Sequence, residues 1–485
     1  MTFGFLRDLP GWWPYATGAI VLAFNLAATA NVILRKRDVR AVIAWTGVIW
    51  LTPVVGAVLY AGLGLNRIRR RAAELQRERR RLPLSTPMAT AIARVGTEAT
   101  VSEQMKPFAR LGEAMSGRPL LTGNAVQVLH NGDEAYPAMI AAIDSAERTV
   151  ALASYIFGAD RAGMQFVDAL ARATKRGVDV RVLVDGFGVR YTQPSVHKVL
   201  RRAGVRSELF LPKVRDAGLA FFNLRSHRKV LTVDGRVAFT GGINIQERNI
   251  HALAPKRLVR DLHFRLEGPV VGQLQEVFSE DWAFTTGEVL DGDGWYPPLP
   301  RAGETTARCF TDGPDGDIEI LRTVLLGALS VARERVRIVT PYFLPEQPLI
   351  SALSVAALRG VEVDIVLPAK VNIPMVQWAA TAQLWQVLRP GCRVFVTPLP
   401  FDHTKLMVVD REWALFGSSN WDPRSLRLNF ELDVEVHDPD LASSLDDIVA
   451  NRIVAGREVT LADVDARPIP VKLGHGLARI LSPYL

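Results

Sequence analysis

Two stretches of this chain, "SHRKVLTVDGRVAFTGGIN" at 226–244 and "DHTKLMVVDREWALFGSSN" at 402–420, set the same residue types at the same spacing. The members are His227, Lys229, Asp234, Gly241 and Asn244, then His403, Lys405, Asp410, Gly417 and Asn420. With 8 His in 485 residues, two His-x-Lys triplets that agree at three further positions are not accidental. The chain holds 48 Arg and 10 Lys, so lysine in both copies selects a compact point charge over a planar fork. Imidazole, ammonium and amide without acidic metal ligands suit an oxyanion such as a phosphodiester. Two such sets suit a displacement in which one His attacks phosphorus and the other protonates the leaving alcohol. Lys229, Asn244, Lys405 and Asn420 would then bind the non-bridging phosphate oxygens. An unperturbed imidazole titrates near ~6.5, so one His must stay neutral while nearby charge keeps its twin protonated. His130, His197, His251, His437 and His475 lack this spacing and read as structural; His263 is a neighbour of the site at most.

Such groups need a rigid mount. "KVLTVDGRVAFTGG" reads as two strands around a turn at Gly235-Arg236, a register that sets His227 opposite Asn244 and turns Lys229 to the same face. The second copy gives the same arrangement with its turn at Arg411-Glu412. Asp234 is a weaker partner for His227, because seven strand residues separate them by about 23 Å. It fits a turn or a structural ion pair, and Asp261 in "VRDLHFRLEGP" and Glu431 in "LNFELDVEV" are better placed to orient the histidines.

The surrounding grammar is doubled too. "AERTVALASYIFGAD" and "FVDALARATKRGVDVRVLVDG" match "ARERVRIVTPYFLPEQ" and "LISALSVAALRGVEVDIVLPA", each reading as strand, loop, amphipathic helix and strand. Tyr155 corresponds to Tyr342. The alternation predicts an α/β sheet in each of two tandem, duplicated domains related by a pseudo-twofold, at 119–298 and 299–485. Residues 82–118 read as a polar linker with helical pieces.

Ahead of these, Pro14–Leu34 and Ala41–Leu65 carry no charge, and each exceeds the ~20 residues that cross ~30 Å of hydrocarbon. Residues 1–81 therefore read as a hydrophobic helical membrane anchor with a basic flank. Eight arginines in "NRIRRRAAELQRERRR" favour a cytoplasmic catalytic part. "RKRDVR" between the segments conflicts with two full spans unless the second dips in and returns at Pro53 and Gly56. The charge of +8 is concentrated here: residues 35–81 carry a net +9, leaving −1 for everything else. That balance argues against a nucleic-acid partner. The two cysteines, Cys309 and Cys392, have no metal-ligand spacing. In the tail, Leu473, Leu477, Ile480 and Leu481 share a helical face, which suits either core packing or a stripe lying on a membrane.

With its paired His-x-Lys-x4-Asp motifs, the chain closely resembles the phospholipase D superfamily. The anchor, "YIFGAD", "GGIN", "GSSNWDPRSLRLNFE" and the closing "LARILSPYL" resemble, more narrowly, the bacterial cardiolipin synthases. The resemblance implies two α/β halves with one active site between them and a phosphohistidine intermediate, with no metal or other cofactor. It implies a catalytic set of His227, Lys229 and Asp234 with His403, Lys405 and Asp410. His227 would act as nucleophile and His403 as acid, Asp261 and Glu431 orienting them. Where the second copy reads "NWDPRSL" the first departs to "NIQERNI", leaving Glu247 and Arg424 in doubt as substrate contacts. One phosphatidylglycerol would donate its phosphatidyl group to another, giving cardiolipin and glycerol. The partners implied are phosphatidylglycerol and other membrane phospholipids, at a multi-pass site in the bacterial inner membrane; a homo-oligomer is left open. A hydrolytic phospholipase D, or a sister transferase making phosphatidylserine, would use the same residues.

Overall fold

Short Val- and Ile-rich runs pair into sheet while the amphipathic runs between them coil and cover it. The computed structural model describes residues 12–36, 39–61, 101–211, 224–314, 319–480 and Ser482. The basic flank at 67–81, most of the expected linker and Leu481 lie outside these. In the first half the strands are β1 (Leu121–His130), β2 (Thr149–Ser154), β3 (Asp179–Asp185), β4 (Ser207–Phe210), β5 (Arg225–Ser226), β6 (Val230–Val233), β7 (Val237–Gly241), β8 (Val259–Arg260) and β9 (Leu262–Glu267). In the second they are β10 (Thr305–Asp312), β11 (Arg335–Val339), β12 (Glu362–Pro368), β13 (Arg393–Thr397), β14 (Phe401–Asp402), β15 (Leu406–Val409), β16 (Trp413–Gly417), β17 (Asn429–His437) and β18 (Arg457–Val459).

The sheet order is β4-β3-β2-β6-β7-β9-β1 in the first half and β13-β12-β11-β15-β16-β17-β10 in the second, so one order occurs twice, with β18 added at an edge. β1 and β10 pair antiparallel and join the halves into one mixed sheet. Outside the first half, helices Asn131–Ser145 and Arg161–Lys175 pack Tyr136, Phe166 and Leu170 onto the sheet. Asp160 caps the second of these by accepting from Gly163 N at 2.9 Å. Between the halves, helices Val270–Thr286 and Pro439–Ala455 share a single core with both sheets, and Phe264 stacks on Phe416 at 3.6 Å between ring centroids.

Both motif hairpins differ from expectation by one residue. Val233 faces Val237 and Val409 faces Trp413, so each loop holds three residues rather than two. Asp234 and Gly235 take φ of 51° and 61°, and Asp410 and Arg411 take 52° and 55°. The second turn therefore reaches the same left-handed shape without glycine. Gly235 is needed for another reason as well: a Cβ there would lie 2.5 Å from the Trp295 carbonyl oxygen. Part of the expected linker is also core. Helix Lys106–Ser116 packs on helix Ile320–Val331, and Phe108 meets Trp413 edge to face at 5.2 Å.

The described residues between 12 and 61 belong to a separate compact unit. Helix Trp13–Arg35 contains the single segment, Tyr15–Arg35, that is long and apolar enough to cross a membrane among the described residues. The second apolar segment is broken. It forms helices Val39–Leu51 and Val55–Leu59 around a bend at which Val54 has φ of 69°. Gly56 permits that bend, since a Cβ would lie 2.2 Å from the Val48 carbonyl oxygen. Of the two expected segments, only the first forms such a helix among the described residues, because the bend interrupts the second, so a multi-pass arrangement lacks support.

Candidate active site

Two short strand pairings between the halves decide which groups meet. β5 runs parallel to the start of β17, Ser226 beside Phe430, and β8 runs parallel to β14, Arg260 beside Asp402. His227 N then donates to the Phe430 carbonyl at 2.8 Å, and His403 N donates to the Arg260 carbonyl at 2.7 Å. The residues that follow Phe430 and Arg260 are Glu431 and Asp261. Each carboxylate therefore reaches the imidazole of the opposite half: His227 Nδ1 lies 2.9 Å from Glu431 Oε2, and His403 Nδ1 lies 2.8 Å from Asp261 Oδ2.

The two pairs are not alike. His227 Nδ1 faces acceptors only, the second being the Ser418 carbonyl at 3.0 Å. Its Nδ1 is thus the protonated nitrogen, and Nε2 carries the free lone pair. Glu431 also accepts from Ser418 Oγ at 2.5 Å and from Asn429 Nδ2 at 3.0 Å. Burial pushes Glu431 upward, yet His227 and Lys229 hold it below the usual carboxylate value. His403 Nδ1 faces a carboxylate and an ammonium, Lys405 Nζ at 3.0 Å. Burial pushes Asp261 up to about 7, with Lys405 opposing. Burial, then the charges of Lys405 and Lys229, hold His403 well below its ordinary value. His227 is also lowered by burial, against the pull of Glu431.

Lys229 Nζ donates to the His227 carbonyl at 2.6 Å, and Lys405 Nζ donates to the His403 carbonyl, so each lysine is tethered to its own motif. Burial lowers Lys229 to about 7 and Lys405 to about 8, the nearby carboxylates opposing in both cases. In this buried cluster desolvation disfavours the charged lysines, and the carboxylates only partly offset it. A phosphodiester anion adds negative charge that favours them. Asn244 Oδ1 accepts from Ile156 N at 3.2 Å, directly behind Tyr155, whose ring sits 5.1 Å from that of His227. Asn420 lines a small cavity of about 20 Å³ together with Lys405, and its Oδ1 is buried without a partner.

The structure brings together His227, Lys229, Asn244, Glu431, His403, Lys405, Asn420 and Asp261. It does not bring Asp234 and Asp410 to them, which corrects their place in the catalytic set. Asp234 accepts from the backbone N–H groups of Glu147, Arg148 and Thr149 at 3.0, 2.7 and 2.8 Å. Asp410 accepts from those of Arg333, Glu334 and Arg335 at 2.8, 2.9 and 2.8 Å. Both bind a turn at the far end of the hairpin. Glu247 is held by Arg161 at 3.0 Å. His263 is buried opposite Gly241, and burial lowers it to about 3. Ser418, Asn429 and Tyr155 support the histidines without having been singled out for it. Asn429 shares the inward face of β17 with Glu431 through the period of two, a signal present in the sequence.

A family profile described as "Cardiolipin synthase, PLD-like domain" matches residues 139–282 and 325–453, one segment in each half. The major cardiolipin synthase ClsA of Bacillus subtilis is 30% identical over 469 residues, covering 95% of this chain and 97% of that protein. A cardiolipin synthase of Geobacillus kaustophilus is 29% identical, covering 98% and 96%. The crystal structure of a phosphatidylserine synthase from Haemophilus influenzae aligns with a TM-score of 0.60 at 14% identity, over 78% of this chain and all of that one, which is a likeness of fold. The chain belongs to the phospholipase D-like family, in its cardiolipin synthase branch.

Proposed function

We propose that this protein is a phosphatidyltransferase that makes cardiolipin and glycerol from two molecules of phosphatidylglycerol through a phosphohistidine. The observation that carries the mechanism is the pair of crossed imidazole–carboxylate contacts, because it supplies two histidines of unequal character beside two lysines. His227 Nε2 attacks phosphorus as the bond to the headgroup glycerol oxygen breaks. His403 gives that oxygen its Nε2 proton while Nδ1 takes up the proton it shares with Asp261. The arriving phosphate charge favours the protonated imidazole. Lys229 and Lys405, with Asn244 and Asn420, hold the non-bridging oxygens as charge builds on them. In the second half-reaction His403 takes the proton of the terminal hydroxyl of another phosphatidylglycerol. That oxygen attacks phosphorus, the P–N bond breaks, and cardiolipin leaves.

The repeated strand order supports a duplicated pair of domains related by a pseudo-twofold. The apolar N-terminal helix and the arginines after it support anchoring in the bacterial inner membrane with the catalytic part in the cytoplasm. The broken second segment suits one that enters the bilayer and returns. Anchoring turns a search for two lipids into a local encounter.

The test uses the full chain in liposomes of phosphatidylglycerol with a chelator present, products resolved by mass spectrometry. Cardiolipin with matching glycerol, lost in both His227→Ala and His403→Ala, is the expected result. Phosphatidic acid without cardiolipin makes water the acceptor and defeats the proposal. A phosphatidyl ester with a nitrophenol leaving group separates the roles: its departure needs no acid, so it restores a stoichiometric burst of nitrophenol and the phosphoenzyme to His403→Ala and not to His227→Ala.

A further inference from the structure

Helix Ile469–Ile480 is packed with its apolar stripe outward. Ile469, Leu473, Leu477 and Ile480 are 72, 64, 65 and 71% exposed. The inward side holds Ala478, and the ring of His475 stacks on Trp378 at 6.4 Å. Core packing, one of the two readings of this stripe, is thereby removed. Helix Pro374–Thr381, against which it lies, leaves Met375 and Trp378 exposed as well, and Trp385 follows on the next turn.

The charge around this face is mostly positive. Residues 369–400 and 466–480 contain Lys370, Arg389, Arg393, Arg467, Lys472 and Arg479 and neither Asp nor Glu, although Arg393 is paired with Glu362 and Asp364, and Asp463 lies near Arg467. A second copy of this chain would set these cations against each other. An anionic leaflet complements them, and outward Leu, Ile and Trp beside Lys and Arg is the composition of a helix lying in a membrane interface.

Against helix Pro374–Thr381 lies a cavity of about 260 Å³, walled by Tyr342, Val371, Val376, Ala380, Leu384 and Arg467. Tyr342 and Phe343 are among its walls. Phe343 bridges to Trp421, the neighbour of Asn420, so one wall of the cavity adjoins the loop that carries a proposed phosphate-binding residue of the second motif. Its walls are largely apolar and include two cations, Arg467 and Arg457, the latter paired with Asp463, a lining that suits an acyl chain and a phosphate.

We propose that this face beds in an anionic leaflet, and that this cavity receives the acyl chain of a phospholipid drawn from that leaflet, with Arg467 against its phosphate. The second part rests on the reading that the protein acts on lipids; the first does not. Nothing in either depends on the N-terminal helix, so the catalytic unit would contact the bilayer by its own surface.

The test places an environment-sensitive fluorophore at Leu477→Cys in the full chain, and at Lys175→Cys on the first half as a control. Cys309 and Cys392 are buried and leave the added thiol as the reactive one. In vesicles of phosphatidylglycerol and phosphatidylcholine carrying a doxyl-labelled lipid, the probe at 477 is quenched severalfold more than the probe at 175. The double variant Leu473→Glu, Leu477→Glu loses most turnover on vesicles and keeps it on phosphatidylglycerol dispersed in detergent. Arg467→Gln raises KM for the lipid and leaves kcat within about twofold. A probe at 477 that stays unquenched overturns the proposal, as does a double variant fully active on vesicles. Cross-linking of Leu477→Cys between copies without quenching also overturns it and assigns the face to self-association. If the wild-type chain turns over no lipid while quenching persists, docking stands and the proposed function falls.

Discussion

Glu431→Gln is the sharpest perturbation of the crossed arrangement, because it changes charge and hardly any volume. In the native site three donors converge on this carboxylate: His227 Nδ1 at 2.9 Å, Ser418 Oγ at 2.5 Å and Asn429 Nδ2 at 3.0 Å. An amide offers one acceptor oxygen and turns an N–H₂ toward a donor, so at least one contact becomes repulsive. His227 gains positive charge as its Nε2 bonds to phosphorus, and the full charge of Glu431 is felt at that moment. At an effective dielectric near 20, unit charges about 4 Å apart interact by about 4 kcal/mol. Charge-assisted hydrogen bonds are worth about 1.5–3 kcal/mol. A loss of about 3–4 kcal/mol of transition-state stabilisation lowers kcat by about 10²–10³. The pH profile carries a second, independent sign. Glu431 raises the proton affinity of His227, and the nucleophile must be neutral, so removing that charge moves the acid limb of kcat/KM to lower pH even as the maximum falls. Cardiolipin formation in vesicles from pH 4.5 to 9, with acid-quench trapping of the phosphoenzyme, measures both. A kcat within about threefold of wild type, or an acid limb displaced upward, would refute the reasoning.

Three further outcomes follow from the same geometry. Asp234→Ala removes a charged acceptor from three backbone N–H groups and places Ala at φ of 51°; it should lower stability by about 2–3 kcal/mol, read as a lower urea midpoint, while kcat of the folded protein stays within about threefold. Gly242→Ala puts a Cβ 2.4 Å from Asp261 Oδ1, so Asp261 and with it His403 must move; the expected loss is about 10²-fold in kcat with little change in melting temperature. Lys229 and Lys405, lowered to about 7 and about 8, bind phosphate only as cations, so KM for phosphatidylglycerol should rise as pH climbs through that window. Lys229→Met should lower kcat/KM and remove the part of that rise that falls near pH 7, leaving the part set by Lys405.

The sequence by itself determined the inventory of chemistry. Period-two strands set Lys229 with His227 and Lys405 with His403, and Val- and Ile-rich runs between amphipathic helices sufficed to place two α/β halves. Those are local properties, written in spacings of two to four residues. Reach alone made Asp234 a weak partner for His227, although the family resemblance counted it among the catalytic residues.

Tertiary structure decided what no local spacing contains. The one-residue difference in hairpin register came from αL conformations at Asp234, Gly235, Asp410 and Arg411, a backbone state that Asp410 and Arg411 do not advertise. The crossing of Asp261 to His403 and Glu431 to His227 depends on two-residue strand pairings between segments more than a hundred positions apart. The outward stripe of the last helix looked in sequence like any core-facing stripe. A helical period fixes which residues share a face, and only the packing of Ala478 and His475 fixes which way that face points.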